Sequence, residues 1–206
     1  MGIHPATATA LFLVAVAAAP AATAAQEYQV DRGAPNVVRF LSRASIEEFE
    51  GVTDRIDGYV LLDAPSLAEA RGGEGTAVYL EVDLASLDTG IGLRNRHMRD
   101  NYLHVARFPF AVFEGRVEGL REVGGGGYRV SAQGMLTIHG VARERQLTCR
   151  VDAEGRGYRA QCGFEVLLSD HDIEIPKVMF LKLANEIRLE LDFHVRLATA
   201  PNGDAP

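Results

Sequence analysis

From Glu186 to Leu197 the chain reads Glu-Ile-Arg-Leu-Glu-Leu-Asp-Phe-His-Val-Arg-Leu, an unbroken alternation of polar and apolar residues. Ile187, Leu189, Leu191, Phe193, Val195 and Leu197 share one face; Glu186, Arg188, Glu190, Asp192, His194 and Arg196 share the other. A period of two describes an antiparallel strand with one dry face and one wet face. The pattern recurs over residues 128–138, where Tyr128, Val130, Ala132, Gly134, Leu136 and Ile138 share a side. It recurs again over residues 78–84, with Val78, Leu80, Val82 and Leu84 together. Strands with a single apolar face must close on themselves or stack, so the interior is where a function is to be sought.

Strands are expected at residues 37–42, 55–63, 76–84, 110–117, 128–138, 145–151, 158–167 and 186–197, with a short first strand over 28–31. Glycine-rich turns join them: Gly72-Gly73-Glu74-Gly75, the run from Gly124 to Gly127, and Glu154-Gly155-Arg156-Gly157. The chain is therefore all-β, and eight such antiparallel strands can close into a barrel that is either filled or holds one small ligand. Two segments break the period. Residues 93–104 read as a short helix stopped before Pro109, and residues 170–183 read as an extended loop whose apolar residues lie across a barrel mouth.

Residues 1–25 are set apart as a secretory signal peptide: a short apolar core from Leu11 to Ala19, then Pro20, then a small-residue cleavage site. Residues 26–198 form one domain, and 199–206 a flexible tail. All charged side chains follow residue 25, so the domain keeps the net charge of −7. An acidic chain without a basic stripe argues against nucleic acid. No later stretch is long and apolar enough for a membrane helix. Strands alternating aliphatic with charged residues are the reverse of what a membrane-spanning barrel needs.

Two cysteines remain, Cys149 and Cys162. A hairpin centred between Gly155 and Arg156 places Cys149 opposite Cys162, Leu147 opposite Phe164 and Val151 opposite Ala160. Directly opposed residues come within disulfide reach, and an exported chain meets an oxidising compartment. A cross-strand disulfide is predicted, with two free buried thiols as the alternative if the turn slips by one residue. The spacing does not suit a zinc site.

Several segments resemble the YceI family. They are Tyr28-Gln29-Val30-Asp31, the run from Val82 to Gly90 containing Asp88-Thr89-Gly90, Arg94-Asn95-Arg96-His97-Met98, Phe108-Pro109 with Phe113, Gly134-Met135-Leu136-Thr137-Ile138-His139-Gly140-Val141, and the closing alternating strand. The likeness covers residues 28–197. It implies an exported, periplasmic, lipocalin-like eight-stranded antiparallel barrel, with a short helix and an extended loop at its mouth, and a lumen that in some members holds a polyisoprenoid. The chain departs from the family pattern at Arg32-Gly33-Ala34-Pro35-Asn36, where a His-Ser pair is common, and over residues 45–51. Both departures lie at one rim.

An isoprenoid or acyl chain needs a long dry tube, because unpaired polar walls would cost more than each buried methylene contributes. The expected lumen residues are Phe40, Val78, Leu80, Val82, Phe113, Leu136, Ile138, Leu147, Val151, Phe164, Leu189, Leu191, Phe193 and Val195; packed together, the same set would fill a structural barrel. Arg94, Arg96, His97 and Arg99 crowd the short helix, where Arg96 and Arg99 could grip a phosphate head group. Asp170-His171-Asp172 converges poorly in an extended chain. His97, His104, His139, His171 and His194 are scattered without metalloprotease spacing, which leaves a metal, haem or catalytic site built from distant histidines as the rival reading. No nucleophile elbow and no phosphate-binding glycine loop is present. The expectation is a non-catalytic carrier of a long-chain amphipathic lipid, with no cofactor and no metal. A homodimer is left open.

Overall fold

In the computed structural model the alternation of the last strand becomes the seam on which the sheet closes. The structure describes residues 25–43, 48–175, 177–178, 181–182 and 184–198; the expected signal segment (apart from Ala25) and tail (199–206) lie outside these. The strands are β1 (Gln26–Val30), β2 (Val37–Arg43), β3 (Glu48–Thr53), β4 (Ile56–Leu62), β5 (Ala77–Asp83), β6 (Phe110–Val123), β7 (Gly127–Ile138), β8 (Val141–Glu154), β9 (Gly157–Leu167), the short pair β10 (Lys177–Val178) and β11 (Leu181–Lys182), and β12 (Glu186–Leu197).

The main sheet runs β1-β4-β5-β6-β7-β8-β9-β12-β2-β3, and β1 pairs again with β12, which closes the ring. Strand β12 accepts two partners in turn along one edge: β2 from Ile187 to Asp192, then β1 from Val195 to Leu197. β1 and β2 thus occupy one strand position broken by the 31–36 turn. β3 and β4 do the same beside them, pairing with β2 and β1 respectively. Counted by position, the barrel has eight antiparallel strands, as expected. β3 had not been anticipated as a strand. Its residues Phe49, Gly51 and Thr53 do alternate inward, but the run is too short to stand out.

Ladder geometry follows the sequence closely at the turns. His139 and Gly140 have φ of 53° and 76°, the left-handed pair that a two-residue hairpin requires. Gly115 and Gly134 face each other across β6 and β7. A Cβ on either would fall within 2.3 Å of a backbone oxygen on the other strand, so the wall bends there in a way only glycine allows.

Cys149 and Cys162 are paired and disulfide-bonded, with Cα atoms 4.3 Å apart, the spacing of a non-hydrogen-bonded antiparallel pair. Val151 faces Ala160 as expected. Leu147 and Phe164 do not pair: the β8–β9 register runs from Glu154/Gly157 to Cys149/Cys162 and goes no further. Beyond it β9 follows β12, up to Leu167 opposite Glu186, and leaves β8.

The outer wall is laced with charge. Arg159 clasps Asp192 through two hydrogen bonds of 2.7 and 2.5 Å, which hold that carboxyl below the usual carboxylate range. Arg188 reaches Glu190 and Glu165, and Arg39 reaches Glu50 and Glu190. This surface is not an apolar band facing lipid. Among the described residues no helix is long and apolar enough to cross a membrane.

Candidate ligand-binding cavity

The two halves of the barrel differ. One half is packed solid: Val30, Leu62, Val78, Val117, Ala132, Val151, Ala160, Phe193 and Val195 are all buried in a common cluster. The 63–76 loop caps this end. Tyr28 and Tyr158 meet edge to face at 5.2 Å; the Tyr28 hydroxyl donates to the Pro65 carbonyl, and the Leu67 N–H donates to the Tyr158 oxygen. Burial first, and then Tyr158, pushes the Tyr28 phenol up to about 12.

The other half is hollow. A cavity of about 470 Å³ lies within the size range of small-molecule sites. Its strand walls are Val38, Phe40, Leu80, Val82, Phe113, Leu136, Ile138, Leu147, Phe164, Val166, Ile187, Leu189 and Leu191, with Phe49 and Ala111 at the rim. Phe40, Val82, Phe164, Leu189 and Leu191 pack against the core cluster yet are only partly buried, because each also borders this space.

Ten of the fourteen expected lumen residues border the cavity: Phe40, Leu80, Val82, Phe113, Leu136, Ile138, Leu147, Phe164, Leu189 and Leu191. Val78, Val151, Phe193 and Val195 share the inward face but belong to the packed half. Phe193, directly after Leu191 on the inward face, is the first residue of β12 in the packed half.

The mouth is roofed by helical turns. Leu84–Ser86 forms a 3₁₀ turn; helix α1 (Gly92–His97) continues into a wider π turn, Met98–Tyr102; a second 3₁₀ turn, Leu168–His171, follows β9. Leu84, Leu87, Ile91, Leu93, Met98, Tyr102, Leu103, Leu168 and Ile173 all border the cavity. Leu84 is expected from the alternating face of residues 78–84, and Ile173 from the apolar residues across the mouth; the others sit on no alternating strand and were not expected as lining. Part of the 170–183 loop lies outside the described residues.

The residues that carry the family resemblance hold this roof in place. The Asn95 amide donates to the Asp88 carboxylate at 2.7 Å, and the Thr89 N–H donates to Asn95 Oδ1 at 2.8 Å; the Asn95 amide, and then the Gly90 N–H, draw the Asp88 carboxyl below its usual range. Arg94 donates through Nε to Thr89 Oγ1 and through Nη2 to the Thr89 carbonyl, and stacks over the Phe49 ring at 4.7 Å. Arg99 Nη2 donates to the Leu87 carbonyl. Of the four expected head-group residues, Arg94 and His97 border the cavity, Arg96 is exposed, and Arg99 is turned to the Leu87 backbone.

Three histidines, His104, His139 and His171, gather beside the roof. The His139 Nδ1–H donates to the His171 carbonyl at 3.1 Å, and His104 Nδ1 lies 2.7 Å from His139 Nε2. Phe108 meets the His139 ring edge-on at 4.8 Å. Ring nitrogens spent on one another and on a carbonyl are poor metal ligands. Among the described residues no group of three or more His, Cys, Asp or Glu is arranged to hold a metal ion.

His171 is buried, and burial above all pushes its imidazole below the ordinary value of 6.5. Asp170 and the Val141 carbonyl favour the charged form, whereas Arg143 and Arg145 oppose it. A histidine held neutral binds its proton later in the folded than in the unfolded chain as pH falls. Stability is therefore complete above 6.5 and declines below it, levelling off under the folded value. Urea midpoints between pH 7.5 and 5.0 should fall for the wild type, with a shallower slope for His171→Phe. Equal slopes would show that His171 has no part in the acid response.

A family model described as a YceI-like domain matches residues 28–195. The chain resembles the crystal structure of Burkholderia cenocepacia BcnA with a TM-score of 0.63 at 22% identity, over 82% of this chain and 99% of that one. It resembles a polyisoprenoid binding domain from Saccharophagus degradans, implicated in plant cell wall breakdown, with a TM-score of 0.62 at 15% identity, over 84% and 99%. A Campylobacter jejuni YCEI protein superposes with a TM-score of 0.56 at 14% identity, over 77% and 90%. No curated protein sequence matches.

Proposed function

This chain belongs to the family of YceI-like domains, and on that premise we propose that it is a non-catalytic carrier of a long-chain amphipathic lipid, polyisoprenoid or acyl. The observation that carries the reading is the cavity of about 470 Å³ whose strand walls are almost wholly aliphatic or aromatic. An apolar chain entering it gains about 0.8 kcal/mol per buried methylene, with few polar wall atoms to desolvate. The structure of the polyisoprenoid binding domain from Saccharophagus degradans gives the reading a precedent on the same fold. The Cys149–Cys162 bond fits export to an oxidising space, the periplasm. The apolar chain lies along the inward faces of β2, β9 and β12, and release runs through the roof formed by α1 and residues 168–175.

Native mass spectrometry of protein isolated from its own compartment, followed by organic extraction, tests the carrier. An adduct of several hundred daltons that extracts as a prenyl or acyl species is expected. Leu191→Asp, which sets a carboxylate in the cavity wall, should retain the fold and bind such a lipid at least about tenfold more weakly. Undiminished binding in the folded variant would overturn the reading.

A further inference from the structure

On the mouth side of the disulfide, one line of the barrel wall has no strand ladder. β8 and β9 pair from Glu154/Gly157 to Cys149/Cys162 and part there. Residues 141–148 of β8 keep their ladder with β7, and residues 163–167 of β9 keep theirs with β12. At about 3.3 Å per residue, the unpaired run on β9 is on the order of 16 Å long. Its flanks are apolar: Leu147 on β8, and Phe164 and Val166 on β9, all border the cavity. The Leu168–His171 turn bridges the gap at the mouth. That turn belongs to the β9–β12 side, because the Leu168 N–H donates to the Asn185 carbonyl at 2.9 Å and the Ser169 N–H to Asn185 Oδ1 at 3.0 Å. Among the described residues, three hydrogen bonds tie it to the β7–β8 side. His171 Nδ1 donates to the Val141 carbonyl at 2.9 Å, Arg143 Nε to the Asp170 carbonyl at 2.7 Å, and His139 Nδ1 to the His171 carbonyl at 3.1 Å. Each joins one side chain to one carbonyl. The α1 part of the roof is held differently: Asp88 exchanges two backbone hydrogen bonds with Val52 of β3, and Arg94 stacks on Phe49 of the same strand.

We propose that the apolar chain enters and leaves sideways between β8 and β9, and that the Leu168–His171 turn is the latch of this portal. Segments held by few backbone hydrogen bonds open at the lowest free energy, and no other line of the wall beside the cavity rests on three side chains. When the latch parts, the gap opens directly onto Leu147, Phe164 and Val166, while α1 stays fixed to β3. A slot suits a chain-shaped ligand, which slides in along its length without the whole roof being lifted. The disulfide sets the lower end of the slot. This assignment rests on the carrier reading and narrows its exit from the whole roof to the 168–171 edge.

Stopped-flow fluorescence with cis-parinaric acid, a polyene fatty acid that brightens in dry surroundings, tests the portal on the disulfide-intact protein. Arg143 is exposed and lies outside the cavity lining, so Arg143→Ala removes a latch bond and no ligand contact. It should speed uptake and release together, each about threefold to tenfold, the effect of one lost hydrogen bond on the open population. The dissociation constant should stay within about twofold, because bound and free protein open alike. Arg143→Lys, which keeps a donor, should return both rates toward the wild type. Asn95→Ala, which loosens α1 and leaves the latch intact, should leave them unchanged. Unaltered rates in Arg143→Ala, or acceleration in Asn95→Ala alone, would overturn the portal and leave the carrier standing. Faster release with unchanged uptake would make Arg143 a ligand contact and overturn it too. No binding of the probe by the wild type would overturn both.

Discussion

Phe193→Ala should lower the unfolding free energy by about 3–5 kcal/mol and deepen the cavity. Phe193 is 4% exposed, pairs with the small Ala160 on β9, and is the first inward side chain past Leu191 that does not border the hollow half. Truncating a buried phenylalanine forfeits its transfer energy and leaves a void, because the surrounding strands relax only in part. Here the void opens into the existing space. Urea denaturation reads the first effect, and the mass of co-purified or reconstituted lipid reads the second, which should shift to longer chains. A loss below about 1.5 kcal/mol with no change in the chain length accepted would mean that Phe193 is not what closes the packed half against the cavity.

The second large effect is expected from the Cys149→Ser, Cys162→Ser double variant, which should lose about 2–4 kcal/mol. The bond joins residues 13 apart in sequence, and closing a loop of about that size removes roughly 3 kcal/mol of freedom from the unfolded chain. Reductant on the wild type should reproduce the drop in guanidinium midpoint without altering the variant. A shift under about 0.5 kcal/mol would show that the Cys149–Glu154 ladder alone holds β8 to β9.

Much of this molecule was legible in its residues, for identifiable reasons. Alternation exposes the inward face of a strand, so the residues of β5, β7 and β12 could be assigned to the interior. A glycine-rich turn fixes register for the few pairs beside it, which is why Cys149 and Val151 met their partners. The ladder stopped short of Leu147 and Phe164 because β9 is held along its whole length by β12 on its other edge, and nothing in the hairpin tells where β8 parts from it. Depth along the barrel is equally silent in a period of two. Leu191 and Phe193 carry the same signal, but one borders empty space and the other packs beneath it, and the difference is set by the 63–76 loop capping one end. His171 looked unpromising beside Asp170 and Asp172, since its isolation depends on a 3₁₀ turn that carries the ring back toward Val141. Arg94 was expected as a head-group contact; in the fold it helps Asp88, Thr89 and Asn95 to fasten the roof.

The paired β8–β9 ladder stops at Cys149 and Cys162, the same two residues that are covalently joined. A tear that began at the mouth and ran down this seam would meet a rivet where the hydrogen bonds begin. Amide hydrogens on the mouth side of residue 149 should then exchange through local breathing, and those beyond it only through global unfolding. The upper wall can part while the lower wall stays shut, so the energy of opening and the energy of unfolding become separate quantities in one small barrel.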